Sequence, residues 1–447
     1  MTRISHPNRR TLLAAGTAGL VLTQAVRAQS TLEASEFGVT ANSGTDQTAA
    51  MQQALEQAGL SGETLLLPAG EIQVDDLTFP ALIALQGSGT GSALTTSAGK
   101  RVGVIAGANR ATFTNIIFGG SPGGAPDSGI FEVNGSDGVS FDHCIFTAGN
   151  TGLVIFDSAV SITDCVFGDH DDAAIHALNS RGLIISGNRI SVCSNAGIRI
   201  WRDQPGLDGS IITGNRIVTV DWRRGGNGEN GNGINVFKAD GVIIANNHIS
   251  NCAFSAVRLN TTMDTQVSGN NCLRSGEVAI FSEFAFSGSV IANNIVDGAA
   301  GGISMTNYNE GGHVAVCTGN IVRNIAPKSL VNPDTTPFGI AAEAEAAVTG
   351  NTVFRVPGPA FVAGYGPYLS NVLIANNVMY DILIGVAVSV APGAGNAQVA
   401  NNMIFDPEHA VVGMAWDDMV EPDLIANAAK YPQVTIANNT VGEVQGV

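Results

Sequence analysis

The residues best suited to chemistry in this sequence are one histidine, two arginines and two carboxylates: His176, Arg199, Arg258, Asp172 and Glu283. Histidine and carboxylates are common general acids and bases, and arginine binds a carboxylate through two parallel hydrogen bonds. On a uronate polymer this set predicts elimination. Arginine would neutralise the sugar carboxylate, and His176 or an arginine would remove the proton from the adjacent carbon. We therefore predict that these five residues are catalytic.

Hydrolysis of a glycosidic bond is the alternative chemistry, and it needs two carboxylates at a defined separation. Asp171, Asp172, Asp203 and Glu283 are the candidates. Asp171 and Asp172 are also candidates for binding calcium, although an Asp-Asp pair is common in turns. The sequence identifies no other cofactor and leaves the metal requirement open.

Aromatic, amide and charged residues accompany the catalytic set, and we predict that they bind a polysaccharide or oligosaccharide. Tryptophans stack on sugar rings, and arginines favour acidic sugars. Each residue also has a structural interpretation, such as an arginine paired with a nearby acid or a flexible loop at GGNGENGNG (225–233). The predicted substrate-binding residues are Trp201, Arg202, Asp203, Trp222, Arg223, Asn235 and Asp171.

A repeat of about 25 residues must position these side chains. The motif apolar-x-Gly/Ala-Asn-x-apolar recurs from SGNRI (186–190) to ANNTV (437–441), and insertions such as APKSLVNPDTTP (326–337) lengthen some units. The same frame extends backwards through Cys165 and Cys144. The repeated asparagines are Asn188, Asn215, Asn247, Asn270, Asn294, Asn320, Asn351, Asn377, Asn402 and Asn439.

Each unit contains three short apolar stretches, which predicts an all-β fold: a single-stranded right-handed parallel β-helix of about 12–13 coils. Stacked coils bury the apolar side that one coil cannot bury alone. The asparagines should form a ladder of amide hydrogen bonds and adopt the left-handed backbone of a sharp corner. Leucine-rich repeats are the main alternative, but the units lack the several leucines that such repeats need. Cys144 and Cys165 fall at the ladder position, where free thiols are favoured over a bridge between coils.

The third strand of each coil can be placed in register. Ile198 and Ile200 should point inward, so Arg199 and Trp201 point outward. The same offset gives one outward column through His176, Arg199, Asn235 and Arg258, and a second through Trp201, Phe237, Asn260, Glu283 and Glu343. Because adjacent coils lie about 4.8 Å apart, His176 and Arg258 should be roughly 14 Å apart along an exterior groove.

Two rims should border this groove, and one acidic run lies beyond it. His170, Asp171, Asp172 and the segment 222–224 are expected at one rim, with Arg202 and Asp203 at the other. The run AEAEAA (342–347) is interpreted as a solvated face, although Glu343 falls in the second column.

A cap should cover the N-terminal end of the solenoid in residues 37–72. Asp46 is a suitable helix N-cap, Gly59 a terminator, and Ala50, Ala54, Leu55 and Ala58 an apolar face. The segment TLLLPAGEIQV (64–74) is predicted to form the first strand pair.

Residues 1–28 have the features of a twin-arginine export signal, with Arg9 and Arg10 before an apolar run from Leu12 to Leu22. A membrane anchor is the alternative, but the run is shorter than the roughly 20 residues of a span. We therefore expect a periplasmic or secreted domain over 29–447, the export machinery as a partner, and no stable membrane insertion. The net charge of −17 argues against nucleic acid as a partner.

The segment FGVTANSGTDQTAAMQQAL, followed by TLLLPAGEIQV, resembles the entry segment of pectate-lyase-like β-helix proteins. With the signal and the repeats, the whole chain resembles a family of twin-arginine-translocated repeat proteins of unassigned activity. The resemblance implies the fold and export but no chemistry. The chain lacks the Gly-His-Gly and Arg-x-Lys motifs of polygalacturonases.

Two functional hypotheses follow from these observations. The first is an exported carbohydrate-active protein, a polysaccharide lyase or glycoside hydrolase acting on acidic glycans in the third-strand groove. The second is a non-catalytic solenoid that binds a glycan or the cell envelope. A purely structural spacer is disfavoured because the polar residues are concentrated in one part of the groove.

Overall fold

The protein is described by a computed structural model that covers residues 30–88, 91–123, 128–226 and 228–443. The predicted export signal therefore lies outside the described residues. From Thr31 onward the chain forms one compact unit, a right-handed parallel β-helix of about 14 turns. This exceeds the predicted 12–13 coils because the coiling already begins at Thr31–Glu33, ahead of the predicted first strands. In the described part of the chain, no helix has the length and apolar character to span a membrane.

The strand that precedes the ladder position in each coil forms sheet 1. Within the described ranges it has 16 strands, and each pairs in parallel with the equivalent strand of a neighbouring coil. In order, the strands are Thr31–Glu33, Thr64–Leu66, Leu82–Gln86, Arg110–Thr114, Asp137–Asp142, Ala159–Thr163, Ile184–Ser186, Ile211–Thr213, Ile243–Ala245, Gln266–Ser268, Ser287–Ala292, His313–Thr318, Ala346–Thr349, Val372–Ala375, Ala397–Ala400 and Val434–Ala437.

The strand that follows the ladder position forms sheet 2. Its last coils contain three long strands, Thr352–Ala363, Val378–Ser389 and Met403–Ala415, which continue into the third row of strands. The other members of sheet 2 are Gly70–Gln73, Ser92–Thr95, Ile117–Gly119, Ile145–Thr147, Val166–His170, Arg189–Cys193, Arg216–Val220, His248–Cys252, Asn271–Ser275, Ile295–Asp297, Ile321–Arg323 and Thr440–Gly442.

The third row of strands, sheet 3, carries the predicted functional columns. The long strands join it to sheet 2, and Asp418–Glu421 adds an antiparallel strand at the C-terminal end. Its remaining strands are Leu77–Phe79, Gly103–Ala106, Gly129–Asn134, Thr151–Phe156, Ala173–Leu178, Ala196–Leu207, Asn232–Asp240, Val257–Asn260, Val278–Glu283, Gly301–Met305 and Ile340–Ala342.

The predicted asparagine ladder is continuous from Asn188 to Asn439. Each Nδ2 donates to the Oδ1 of the asparagine on the next coil at 2.9–3.0 Å. The predicted left-handed backbone, however, belongs to the preceding residue, such as Gly187 (φ 71°) or Asn246 (φ 57°). Glycine and asparagine tolerate this conformation best, which explains the Gly-Asn and Asn-Asn pairs of the motif.

Two cysteines continue the ladder towards the N-terminus. The backbone N–H of Cys165 donates to Asn188 Oδ1 at 2.9 Å, and that of Cys144 lies 3.3 Å from Cys165 Sγ. All six cysteines are buried and carry free thiols. Side chains at this position therefore cap the backbone of the preceding coil, with thiols at the first two steps and amides afterwards.

The interior is filled by apolar columns that repeat from coil to coil. Ile198 and Ile200 are fully buried, as their predicted orientation requires. Phe118, Phe146 and Phe167 form a continuous stack with ring centroids 4.9 and 4.7 Å apart. The core therefore supports each strand of sheet 3 from the inside and leaves the outward columns free to vary.

A helix over Thr48–Ser61 covers the N-terminal end, and it begins and ends later than predicted. Gln47 is the N-cap, while Asp46 accepts a hydrogen bond from the Thr48 N–H at 2.9 Å. Gly62, in the left-handed conformation, is the C-cap that follows Ser61, and Gly59 permits close packing on Pro80. A second helix spans Leu424–Asn427, and 3-10 turns span Ala34–Phe37, Tyr308–Glu310 and Ala428–Lys430.

Candidate functional site

Sheet 3 aligns the outward residues in the predicted register. His176 pairs with Arg199, Arg199 with Asn235, and Asn235 with Arg258 along the first column. The second column contains Trp201, Phe237, Asn260 and Glu283 in adjacent pairs. Parallel pairing without a register shift at these positions brings onto one face residues that are more than 100 positions apart in sequence.

The groove is less open than the sequence suggested. Only 2% of Arg199 and 7% of Arg258 is exposed, because segments inserted between coils cover this face. Asn230 of one insertion accepts a hydrogen bond from Arg199, and Asn332 of another donates to Glu277. The outward columns are therefore largely enclosed between sheet 3 and these loops.

Arg199 forms a buried ion pair with Asp172. Its two terminal nitrogens lie 2.9 and 3.1 Å from the two carboxylate oxygens of Asp172, and Arg224 approaches the same carboxylate at 3.3 Å. Burial raises the pKa of Asp172, but the charge and the hydrogen bonds of Arg199 lower it by more. The pKa of Asp172 therefore lies below its usual value. Asp172 is thus a carboxylate held by arginine.

Arg258 is the centre of a second buried cluster. Its Nε and one terminal nitrogen each lie 2.7 Å from Glu283, and the other terminal nitrogen lies 2.6 Å from Glu277. Asn260 also donates to Glu283 at 3.0 Å. The guanidinium therefore points its donors at protein carboxylates, which leaves it poorly placed to bind the carboxylate of a substrate.

A cavity of about 320 Å³, here named cavity 1, opens beside this cluster. Trp201, Phe237 and Phe284 supply aromatic walls. Trp201 Nε1 donates to Asn235 Oδ1 at 2.9 Å, and the Arg199 guanidinium lies 5.1 Å from the Trp201 ring centroid. The other lining residues are Gly228, Glu229, Asn235, Arg258, Asn260 and Glu283.

A second cavity of about 320 Å³, here named cavity 2, lies farther along the same sheet. Phe281, Phe338 and Tyr365 form part of its wall. Phe281 follows Arg258 in the first column, and the Arg258 guanidinium lies 5.1 Å from its ring, so this pair connects the two cavities. Its polar lining includes Glu277, Ser304, Thr306, Asn332, Asp334 and Glu343.

Glu343 is buried, whereas the acidic run in which it lies predicts a solvated face. It is 8% exposed and lines cavity 2. Burial raises its pKa to about 7, even though a carboxylate oxygen accepts the Tyr308 N–H at 2.6 Å. The sequence feature that indicated a place in the groove was its position in the second column.

The remaining predicted residues have more peripheral environments. His176 is half-buried, with its ring edge-on to Trp201 at 5.1 Å, whereas Trp222 packs on Phe254 at 5.2 Å. Asp171 is exposed. The other three have polar contacts: Arg202 donates to the Ser180 carbonyl, Asp203 accepts from Asn179, and Arg223 pairs with Asp221.

His170 was expected at a groove rim, and this expectation is wrong. It lies in the interior beside Cys193, with 1% of its surface exposed, because its strand continues to residue 170 and turns the side chain inward. Burial lowers its pKa to about 4, and Nδ1 lies 2.9 Å from the Ala148 carbonyl. His170 is thus a neutral core residue.

The donor set at Asp171 and Asp172 does not fit calcium. Both oxygens of Asp172 accept hydrogen bonds from Arg199, and Asp171 is separately exposed. Within the described ranges, one group of three potential metal ligands lies close together, formed by Asp142, His143 and Asp164 at a corner after sheet 1. Within this group, His143 Nδ1 lies 2.9 Å from a carboxylate oxygen of Asp142, which gives the imidazole a protein partner.

Comparisons with known proteins agree with the fold. The family profile described as "right handed beta helix region" matches residues 102–226 and 158–324. No curated protein matches the sequence. The N-terminal fragment of bacteriophage Phi29 gene product 12 is similar in structure, with a TM-score of 0.53 and 13% identity over 87% of this chain and 71% of that chain.

Two other structures show weaker likeness. PfbA, a surface adhesin of Streptococcus pneumoniae, gives a TM-score of 0.49 and 14% identity over 88% of this chain and 94% of its own. The catalytic domain of a GH87 alpha-1,3-glucanase in complex with tetrasaccharides gives a TM-score of 0.47 and 13% identity over 92% of this chain and 69% of its own. The parallel strand pairing and the family profile together show that the protein is a right-handed parallel β-helix.

Proposed function

We propose that this protein is an exported, carbohydrate-active β-helix protein that binds a glycan in cavity 1. The observation that carries the proposal is the wall of Trp201, Phe237 and Phe284 beside the amides of Asn235 and Asn260. Aromatic faces stack on sugar rings, and amides form hydrogen bonds with sugar hydroxyls. These side chains project from the part of each coil that does not repeat, so the scaffold does not require them.

The ion pairs favour a neutral glycan over a uronate polymer. Arg199 and Arg258 are bonded to protein carboxylates, and Glu229 and Glu283 line the cavity. The chain also carries a net charge of −17, which repels polyanions. Elimination assisted by these arginines is therefore less well supported than hydrolysis, in which carboxyl groups move the protons.

A non-catalytic glycan- or envelope-binding solenoid is the second candidate function. It is favoured by the pairing of Asp172 with Arg199 and of Glu283 with Arg258, because paired carboxylates are poor proton carriers. In this alternative, aromatic residues and amides bind the glycan and His176 has no role in turnover.

Export through the twin-arginine pathway to the periplasm or outside the cell belongs to the same proposal, and it is supported by Arg9 and Arg10 before the apolar run. The Arg9→Lys, Arg10→Lys double variant should accumulate as an uncleaved precursor in the cytoplasm. Normal processing of that variant would contradict this part of the proposal.

Binding is tested by calorimetric titration of residues 29–447 with neutral and uronate oligosaccharides of two to six units. We expect binding to neutral oligosaccharides and its loss in Trp201→Ala. Phe354→Ala is the matched control, because this half-buried ring stacks on Tyr380 in sheet 2, away from the cavities. The absence of binding to every oligosaccharide by a folded protein would overturn the proposal.

A further inference from the structure

Three carboxyl groups line cavity 2, and two of them, Glu343 and Asp334, lie in different environments. Glu343 is 8% exposed and receives a hydrogen bond from the Tyr308 backbone, whereas Asp334 is exposed on the loop that covers the sheet. A pair of carboxyl groups that differ in burial is the arrangement that separates a proton donor from a proton acceptor.

We propose that cavity 2 is a hydrolytic centre in which Glu343 donates a proton to a glycosidic oxygen and Asp334 accepts one from the attacking water. This inference rests on the proposed glycan binding in cavity 1. None of the five predicted catalytic residues lines cavity 2. The link to them is Glu277, which lines cavity 2 and pairs with Arg258.

The two cavities are arranged to hold one glycan chain. Glu283 borders cavity 1, and Glu343 follows it in the second column after Thr306, two coil steps away. Two steps correspond to roughly 10 Å along the sheet. A glycan held against Trp201 can therefore extend past Phe281 and place a glycosidic bond beside Glu343.

The lining of cavity 2 supplies no cation that would hold Glu343 in its charged form. The ionisable groups that line the cavity with it are Glu277, Asp334 and Tyr365, and none of the described lining residues is basic. Glu277 is held by Arg258 at 2.6 Å, so its charge is compensated from cavity 1. Burial raises the pKa of Glu343 to about 7, which suits a general acid near neutral pH.

The reaction balances with water as the second substrate. The Glu343 proton passes to the glycosidic oxygen as its bond to the anomeric carbon breaks. The water oxygen bonds to that carbon, and a water proton passes to Asp334. Two shorter sugars leave, one with a new reducing end. Exchange of protons with solvent returns Glu343 to the acid and Asp334 to the carboxylate.

The test compares Glu343→Gln with Glu345→Gln, a neighbouring exposed glutamate in the same acidic run. Products of the oligosaccharides that bind are measured by mass spectrometry. Glu343→Gln should lose about 100-fold or more in turnover with unchanged binding, and Glu345→Gln should match the wild type. Asp334→Asn should also lose turnover.

A second substrate separates proton donation from a structural role. The 2,4-dinitrophenyl glycoside of the hydrolysed sugar has a leaving group that needs no protonation, so Glu343→Gln should retain most of its activity there. The basic limb of the pH–rate profile, near pH 7 in the wild type, should disappear in this variant.

The outcomes distinguish this inference from the proposed function. Equal losses on both substrates, or wild-type turnover by Glu343→Gln, would overturn the role of Glu343. Binding without any product from the wild-type protein would overturn the hydrolytic centre and leave the binding function intact. The absence of binding would overturn both.

Discussion

Arg258 and Glu283 lie on adjacent coils of sheet 3 and share two hydrogen bonds of 2.7 Å each. Both side chains are buried, and Glu277 completes the cluster through the remaining terminal nitrogen of Arg258. One cation thus compensates two carboxylates outside the apolar core. The cluster forms part of the wall of both cavities.

Arg258→Ala should therefore destabilise the fold. Removing the cation leaves Glu277 and Glu283 buried without a charge partner, which costs about 3–5 kcal/mol. We expect a clear fall in the melting temperature measured by calorimetry. Arg189→Ala, which removes an exposed arginine of sheet 2, is the control and should change little. Similar shifts in the two variants would show that the cluster is energetically unimportant.

Asn247→Ala should interrupt the ladder. The Asn215 N–H and side-chain amide lose their shared acceptor, and the Ile212 carbonyl and Asn270 Oδ1 lose a donor. The Asn215 N–H is left without this acceptor, at a cost of about 1–3 kcal/mol, and each other lost hydrogen bond costs about 1 kcal/mol, although the Asn215 amide and Asn270 Oδ1 keep one partner each. We therefore expect a loss of at least about 3 kcal/mol in the free energy of unfolding. Asn439, the half-buried last residue of the ladder, should be less sensitive. A loss of equal size in Asn439→Ala would contradict the prediction.

His170 should make the fold sensitive to acid. Its folded pKa of about 4 lies below the usual value of 6.5, so the unfolded chain binds the extra proton between these values. Stability is therefore lost as the pH falls from about 6.5 to 4, by up to about 3 kcal/mol. In His170→Val, denaturant titrations over this range should show a smaller decline. An unchanged decline would exclude His170 as its source.

Glu343 should have the opposite effect. Its pKa is raised from 4.5 to about 7, so the folded state holds the proton more tightly than the unfolded chain. Stability should fall by up to about 3 kcal/mol as the pH rises from about 4.5 to 7. Glu343→Gln cannot ionise. The melting temperature of this variant minus that of the wild type should therefore be larger at pH 8 than at pH 5. A constant difference between the two proteins would argue against the raised pKa.

The amino-acid sequence determined the coil, its ladder and the outward columns. A residue such as Asn188 or Ile198 recurs at a fixed offset because every coil must satisfy the same corner and the same core. Parallel strands with a side-chain period of two then fix which neighbours, such as His176 and Arg199, share a face. These features depend on local pattern and on contacts between adjacent coils.

The tertiary structure alone decided what covers the columns. The insertions around Asn230 and Asn332 have no counterpart in other coils, and their conformations depend on contacts with Arg199 and Glu277. Those contacts bury the arginines, and the packing of this face encloses Glu343, whose acidic run is typical of a solvated surface. Burial and charge pairing depend on the whole environment of a side chain, so a repeat pattern could place these residues but could not assign their protonation or access.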